Sequence, residues 1–383
     1  MAENGAKRIR LGMVGGGTGA FIGYVHRIAA RLDGDYDLVA GALSSRPDVA
    51  KESGRNLGLA DDRIYTSYEE MARAEAARPD GIQAVSIVTP NHMHFGPAKA
   101  FLEAGIHVIC DKPITSTLDD ARKLATIKPA NGARFLLTHN YTGYPLIRQA
   151  RELVASGALG NIRVVQAEYA QDWLTEAADG DNKQAAWRTD PARSGAGGCI
   201  GDIGTHAYNL ARFVTGLKTD AVSADLTAFV PGRQLDDNVH IMLRFEGGAK
   251  GMLWASQVAV GKENGLQLRV YGDKGGLEWS QENPNYMWFT KFGQPRQLLT
   301  RGGSISVPPA ASMNVRIPSG HPEGYLEAFA TLYSQFAAII RGDGAAYEGL
   351  LPTMADGIEG MQFITASVQS SQNDGKWTRL NDV

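Results

Sequence analysis

The sequence has few cysteines and no long apolar segment. Cys110 and Cys199 are the only cysteines in 383 residues, which excludes a disulfide framework and fits a reducing compartment. No run approaches the roughly 20 apolar residues of a membrane-spanning helix and the first residues do not resemble a signal peptide, so we expect a cytoplasmic protein without a membrane partner. The 38 basic residues are scattered among 41 acidic ones, so nucleic acid is not an expected partner.

The chain is too long for one ordinary core, and its pattern changes near residue 140. Its 383 residues suit two domains, since a domain takes about 150 residues. In residues 1–140, short apolar runs alternate with helical stretches, which predicts a parallel sheet built from βαβ units. The predicted strands are Ile9–Val14, Leu38–Leu43, Ala84–Val88, His107–Cys110 and Phe135–Thr138.

Residues 141–383 carry a different pattern. Apolar strands are joined there by short glycine-rich turns such as Glu246-Gly247-Gly248, and such turns join antiparallel neighbours. A helical block ends the chain and is expected to pack near the domain junction. The predicted fold class is α/β, with a Rossmann doubly wound parallel sheet followed by an α+β domain that holds a large, mostly antiparallel open sheet.

Five glycines fall within Gly15–Gly23, directly after the first predicted strand. Glycines at a strand-to-helix turn let the backbone approach a pyrophosphate, whose charge then meets the helix amino terminus. One register takes Ala20 as the third position of the GxGxxG pattern; the other, which we favour, takes Gly23 as the close-packing glycine. The alternative to a dinucleotide site is a tight turn without a ligand.

The end of the second strand lacks the acidic residue that usually binds the ribose hydroxyls of NAD. Ser44, Ser45 and Arg46 stand there instead, and they suit the 2′-phosphate of NADP. The alternative is that Ser45 caps the next helix and Arg46 is solvated. The expected cofactor is NAD or NADP, with a slight preference for NADP.

A second glycine-rich segment leads into Asp202 and His206. Helical spacing places Asp202, His206 and Asn209 on one face, with the first two side chains about 5–6 Å apart. Three interpretations are open: a buried polar helix start, a metal site made of Cys199, Asp202 and His206, and an acid/base site. Earlier in the chain, Lys112 follows a predicted buried strand, at the edge where open α/β sheets place their chemistry.

Together these motifs resemble the Gfo/Idh/MocA oxidoreductase family over nearly the whole chain. They are the glycine turn, Thr89-Pro90-Asn91, Asp111-Lys112-Pro113 where the family more often has Glu-Lys-Pro, and Asp202-x-x-x-His206. The resemblance implies that Lys112 contacts the reacting hydroxyl and the nicotinamide, that Asp202 positions the substrate and that His206 exchanges the proton. These roles agree with the chemistry of the reaction, because oxidation of an alcohol needs a hydride acceptor at the carbon and a base at the oxygen.

The predicted binding residues form two sets. The predicted cofactor-binding residues are Gly15, Gly17, Thr18, Gly19, Ala20, Phe21, Ile22, Ser44, Ser45, Arg46, Thr89, Asn91, His94, Asp111 and Lys112. The predicted substrate-binding residues are Tyr141, Trp173, Trp187, Arg188, Asp202, His206, His321 and Tyr325. Aromatic faces suit the C–H surfaces of a sugar. Surface packing is the alternative for the aromatic residues, and a packed histidine is the alternative for His94.

The sequence therefore predicts an NAD(P)-dependent dehydrogenase acting on a sugar, inositol or related polyol. Two alternatives stay open: an NAD-dependent glycosidase that oxidises, eliminates, hydrates and reduces again, and a sugar or nucleotide sensor without catalysis. The resemblance also implies a homodimer or homotetramer formed through the C-terminal sheet.

Overall fold

The computed structural model describes residues 7–177, 187–303 and 315–383. Its contacts divide the chain into two compact units, Met1–Asn140 with Tyr325–Ile358 and Tyr141–Gly324 with Glu359–Val383. The sequence pattern alone assigned every residue from 141 onward to the second domain, whereas the structure returns Tyr325–Ile358 to the first unit. In the described ranges, no helix has the length and apolar character needed to cross a membrane.

Some of the helices begin with a side chain that caps the first turn. Ser67 and Thr117 each accept a hydrogen bond from a first-turn backbone N–H, which satisfies a donor that the helix itself leaves unpaired. The α-helices of the described residues are α1 Phe21–Leu32, α2 Pro47–Asn56, α3 Tyr68–Ala77, α4 Phe95–Glu103, α5 Leu118–Ala125, α6 Pro145–Ala155, α7 Pro191–Ser194, α8 Thr205–Thr215, α9 Tyr325–Arg341 and α10 Met354–Gln372.

The first unit contains a parallel sheet. The order in which the chain adds strands to this sheet changes direction between the first and third strands. Its strands are β1 Ile9–Gly15, β2 Tyr36–Ala42, β3 Ala84–Val88, β4 His107–Cys110 and β5 Phe135–Leu137. They run in the order β2-β1-β3-β4-β5, and every neighbouring pair is parallel. In such a sheet the carboxyl ends of β1 and β3 flank the switch point, where ligands bind.

Helix α9 belongs to the first unit because its apolar face is buried there. Phe329, Tyr333 and Phe336 are each at most 2% exposed and share one core with β1 and α1. Burial of an aromatic or aliphatic side chain contributes roughly 1.5–3 kcal/mol, so these three rings hold the helix against the sheet. The Tyr36 hydroxyl adds a hydrogen bond to the Tyr333 carbonyl at 3.0 Å.

The second unit is built on a nine-stranded sheet, counted over the described residues. Its strands are β6 Ile162–Ala170, β7 Thr219–Thr227, β8 Asn238–Phe245, β9 Lys250–Ser256, β10 Gly265–Gly272, β11 Gly275–Ser280, β12 Tyr286–Lys291, β13 Gln297–Thr300 and β14 Thr378–Arg379. The order is β13-β12-β11-β10-β6-β9-β8-β7-β14, and all pairs except β6 with β9 are antiparallel. This arrangement and the parallel sheet confirm the predicted fold class.

The large sheet has one buried and one exposed face. Residues of β8 alternate between buried and exposed positions, as expected when one side of a sheet packs on a core. Met242 and Met252 face outward and are 55% and 53% exposed.

Candidate active site

The glycine turn after β1 adopts a backbone that other residues rarely adopt. Gly15, Gly16 and Gly19 have φ values of 78°, 72° and 83°, in the region where a Cβ causes strain. A Cβ on Gly23 would lie 2.4 Å from the Cα of Gly16. Gly23 is therefore the glycine that lets α1 pack against the turn, in agreement with the register that we favoured.

Gly17 and Thr18 are fixed by contacts with the next βα unit. A Cβ on Gly17 would meet the Leu43 carbonyl oxygen at 2.7 Å and Ser53 Oγ at 2.8 Å. The Thr18 backbone N–H donates to Ser53 Oγ at 3.0 Å, and the two hydroxyls lie 3.1 Å apart. Ser53 thus shapes the turn from α2, and no sequence motif pointed to it.

The turn leaves an uncapped helix start at the end of β1. The N-cap residue of α1 is Ala20, which provides no side-chain hydrogen bond, and the first turn contains no acidic residue. The N–H groups at the start of a helix carry partial positive charge and suit a phosphate. A Cβ on Gly19 would have open space around it. These features fit a pyrophosphate held by Thr18 to Ile22.

The end of β2 presents two exposed polar side chains. Pro47 occupies the first position of α2, so Arg46 rather than Ser45 is the N-cap residue, and it makes no side-chain capping bond. Ser44 Oγ instead accepts the Arg46 backbone N–H at 3.2 Å. Ser45 and Arg46 are exposed. The interpretation of Ser45 as a helix cap is therefore wrong.

His94 links two turns at the carboxyl ends of β3 and β4. Its ring is 1% exposed, with Nδ1 2.7 Å from the Pro113 carbonyl oxygen and Nε2 2.8 Å from the Thr89 carbonyl oxygen. Burial lowers the pKa of His94, while Asp111 and the two carbonyl groups act in the opposite direction. These contacts match the packed-histidine alternative. Asn91, in the same turn, is 5% exposed.

Lys112 is carried by a turn that Asp111 holds in place. Asp111 Oδ1 accepts the Lys112 backbone N–H at 2.9 Å and the Thr138 hydroxyl at 3.0 Å. The Lys112–Pro113 peptide bond is cis, and the Lys112 side chain is half-buried. The Asp111 carboxylate thus binds groups of the protein and fixes the backbone that carries the lysine.

In the second unit, Asp202 lies in a π-helical turn, Ile200–Gly204, which continues into α8. The predicted helix is confirmed, but its first turn is wider than an α-helical turn. The expected separation of about 5–6 Å assumes a regular α-helix, whereas Asp202 lies in the π-helical turn and His206 in α8. Turns of this kind recur at functional sites, where they change the direction in which a side chain points.

The Asp202 carboxylate is held by two donors from distant parts of the sequence. Its Oδ2 accepts Arg188 Nε at 3.1 Å and Gln257 Nε2 at 2.9 Å. Gln257 is 2% exposed, so its amide has a fixed position. A carboxylate that binds both a guanidinium and a buried amide keeps one orientation. Sequence reasoning missed Gln257 because no motif surrounds it.

His206 is buried against two tyrosines. The Tyr141 ring meets the imidazole edge to face at 4.8 Å, and the Tyr169 ring lies 6.2 Å away. The two tyrosine hydroxyls are 2.6 Å apart, and Tyr169 donates to Asn264 Oδ1 at 2.7 Å. Burial raises the pKa of Tyr141. Tyr141 therefore packs its ring against the imidazole and places its hydroxyl in a polar chain with Tyr169 and Asn264.

The other predicted substrate residues separate into two groups. Arg188 packs its guanidinium over the rings of Trp187 at 4.3 Å and Trp173 at 5.8 Å, so three predicted residues form one cluster with Asp202. His321 is exposed in the second unit. Tyr325 begins α9 in the first unit and packs against Phe329 at 5.2 Å, a contact that fits the alternative of packing. Residues 178–186, between Trp173 and Trp187, lie outside the described residues.

The interpretation as a metal site gains no support. Burial raises the pKa of the Cys199 thiol, which disfavours the thiolate that a metal needs. Across residues 7–177, 187–303 and 315–383, no group of three His, Cys, Asp or Glu side chains is placed to hold a metal ion. The helix start and the acid/base site are the two interpretations that fit these contacts.

Comparison with known proteins identifies the family. Residues 9–139 match the profile of an oxidoreductase family with an NAD-binding Rossmann fold, and residues 147–278 match the GFO/IDH/MocA C-terminal domain. The chain belongs to the GFO/IDH/MocA oxidoreductase family. It is thus an NAD(P)-binding oxidoreductase, which confirms the resemblance drawn from the motifs.

Several known proteins resemble this chain over nearly its whole length. An oxidoreductase from Sinorhizobium meliloti is 57% identical, with a TM-score of 0.89 and coverage of 97% of this chain and 99% of that one. An inositol dehydrogenase homolog from Azotobacter vinelandii, in complex with NADH and myo-inositol, is 40% identical, with a TM-score of 0.90 and 98% coverage of both. The uncharacterized oxidoreductase YfiI of Bacillus subtilis is 34% identical over 98% of both chains.

Proposed function

We propose that this protein is an NAD(P)-dependent dehydrogenase that oxidises a secondary hydroxyl of an uncharged sugar, inositol or related polyol. The observation that carries the proposal is the Asp202 carboxylate, held by Arg188 and Gln257 on the helical segment that also bears His206. A fixed carboxylate accepts hydrogen bonds from hydroxyl groups, and a nearby imidazole accepts a proton. The Azotobacter vinelandii homolog in complex with NADH and myo-inositol supports this class of substrate.

Each candidate residue has a chemical role in the proposal. When bound, the nicotinamide accepts the hydride from the alcohol carbon. His206 takes the hydroxyl proton, because histidine is the side chain whose ordinary pKa lies nearest neutrality. Asp202 orients the substrate by accepting hydrogen bonds from its hydroxyls. Lys112 provides a positive charge, which stabilises the alkoxide that develops as the proton leaves.

The charges around Asp202 favour a neutral substrate. Arg188 is the cation of this cluster, and its Nε already donates to Asp202. The Asp202 carboxylate already offsets the charge of Arg188 and would repel a phosphate or carboxylate nearby, whereas an uncharged polyol meets no such repulsion. The faces of Trp173 and Trp187 suit the C–H surface of a sugar ring.

The proposal also covers the choice of cofactor. Ser45 and Arg46 are exposed at the end of β2, and neither side chain is occupied by helix capping. A guanidinium and a hydroxyl there suit the 2′-phosphate of NADP, and no carboxylate is present in Ser44–Arg46 to bind ribose hydroxyls. We therefore propose that NADP is preferred over NAD.

A substrate panel tests the proposed function. Purified protein is incubated with neutral sugars, inositols, their phosphorylated and carboxylated analogues, and aryl glycosides, each with NAD and NADP in parallel. Steady formation of reduced nicotinamide with neutral polyols is the expected result. Release of the aglycone without net reduction of the cofactor would instead indicate the glycosidase, and absence of any turnover would favour the sensor.

The exposed face of the large sheet is the proposed surface for association with a second copy of this chain. Met242 and Met252 are more than half exposed and lie opposite each other on neighbouring strands, so they form one apolar patch of the kind that marks a protein interface. Met242→Glu combined with Met252→Glu should shift the sedimentation of the protein to that of a monomer. Leu57→Glu, an exposed apolar position in the first unit, is the control and should leave the assembly intact.

A further inference from the structure

Asp236 binds the backbone immediately before the π-helical turn. Its Oδ1 accepts the Gly198 N–H at 2.7 Å, and its Oδ2 accepts the Ile200 N–H at 2.8 Å. The Asp236 backbone carbonyl accepts the Cys199 N–H at 2.8 Å. Three consecutive N–H groups, which a helix leaves without internal partners at its start, are thus satisfied by one residue.

The close approach between this backbone and Asp236 depends on a glycine. A Cβ on Gly198 would lie 2.3 Å from the Asp236 carbonyl oxygen and 2.9 Å from the Leu235 Cβ. Any side chain at Gly198 would therefore push the helix start away from the loop segment that carries Leu235 and Asp236. This contact gives a structural reason for a glycine at position 198, in the glycine-rich segment before Asp202.

The next residue of this loop also contacts the second donor to Asp202, through its backbone. Asp237, the next residue, accepts the Gln257 backbone N–H through its carbonyl at 2.8 Å. Gln257 Nε2 in turn donates to Asp202 Oδ2. The loop before β8 thus holds Gln257 through the backbone carbonyl of Asp237, and the Asp237 side chain takes no part in that contact.

We propose that Asp236 is a positioning residue for the reaction, which sets the location of Asp202 and His206 by capping the first turn of their helix. The proposal rests on the proposed function of that helix. Asp236 itself needs no contact with substrate. Its effect is geometric, and a displacement of about 1 Å in a reacting group lowers a rate by up to about 100-fold.

The neighbouring carboxylate provides a matched control. Asp237 is fully buried and caps a different segment, since it accepts the N–H groups of Phe229 and Val230 and pairs with Arg233 at 3.0 Å. Its side chain makes no hydrogen bond to residues 198–206 among those that the structure gives. Loss of Asp237 should therefore destabilise the protein without moving the helix.

The experiment compares Asp236→Asn with Asp237→Asn in the full-length protein. For Asp236→Asn we expect kcat for the polyol to fall about 10- to 100-fold, unchanged affinity for NADPH, and faster backbone hydrogen exchange in residues 198–206. For Asp237→Asn we expect a lower Tm, kcat within about twofold of wild type and unchanged exchange in that segment. Gly198→Ala should have the same effect, because its Cβ would displace the helix start from Asp236. If the Asp236→Asn protein does not fold, Gly198→Ala takes its place in the comparison.

Two results would overturn the proposal. One is a folded Asp236→Asn protein with wild-type kcat and wild-type exchange; the other is an equal loss of kcat in both asparagine variants, which would mark a general loss of stability. Absence of polyol turnover in the wild type would instead refute the proposed function. In that case hydrogen exchange alone tests whether Asp236 caps the helix start. Unchanged exchange at residues 198–206 in Asp236→Asn would refute the cap.

Discussion

His26 should make the first unit sensitive to acid. Its ring is fully buried on α1, with Nδ1 2.8 Å from the Tyr333 hydroxyl and 3.2 Å from the Ser86 hydroxyl. Burial lowers the pKa of His26 from 6.5 to about 4, although the charge of Asp111 raises it. The unfolded chain takes up a proton near pH 6.5, whereas the folded chain does so only near pH 4. Stability is therefore lost as pH falls through this window, by about 2 kcal/mol at about pH 5 and about 3 kcal/mol at about pH 4.

His26→Asn removes this titration and keeps a polar group near Tyr333. All six tryptophans lie in the second unit, so tryptophan emission does not report on α1, and urea unfolding is better followed by hydrogen exchange of the first unit. Between about pH 7.5 and about pH 5, the wild type should lose about 2 kcal/mol more unfolding free energy than the variant. His139, whose pKa burial also lowers to about 4, contributes equally to both proteins. An identical pH dependence in the two proteins would refute the reasoning.

Three further substitutions test the candidate site. His206→Ala should lower kcat by about 10²–10⁴ while NADPH affinity, measured by fluorescence titration, is retained; wild-type turnover would remove His206 from the mechanism. Arg46→Ala should weaken NADPH binding about tenfold and leave NADH binding unchanged, and equal losses for both cofactors would contradict a 2′-phosphate site. Gly17→Ala should weaken both cofactors, because its Cβ would meet Leu43 and Ser53; unaltered affinity would show that the turn moves freely.

Patterns within short stretches of sequence predicted most of the first unit. The strand limits Ala84–Val88 and His107–Cys110 are confirmed without change, because a strand buried on both faces is apolar along its length. Strands β12 and β13 were not predicted. The apolar run of β12 is only Tyr286–Phe289 and that of β13 only Leu298–Leu299, so neither is long enough for periodicity alone to reveal a strand.

Contacts between distant segments could not be predicted from the sequence. Helix α9 has an evident apolar face, but no local signal tells where an amphipathic helix docks, and it packs on α1 about three hundred residues earlier. Ser53, Gln257 and Asp236 shape the candidate site from outside its motifs. The π-helical turn at Asp202 also escaped prediction, because no motif in its sequence marks a turn of this kind.

The central claim is that this family member oxidises an uncharged polyol and releases reduced cofactor. The most direct measurement follows reduced-nicotinamide absorbance during incubation of the wild type and His206→Ala with a panel of inositols and sugars and NADP. The wild type should form NADPH steadily, with one equivalent of ketone product. In His206→Ala the rate of NADPH formation should be nearly abolished. Sustained turnover by His206→Ala, or conversion of a glycoside without net formation of NADPH, would contradict it.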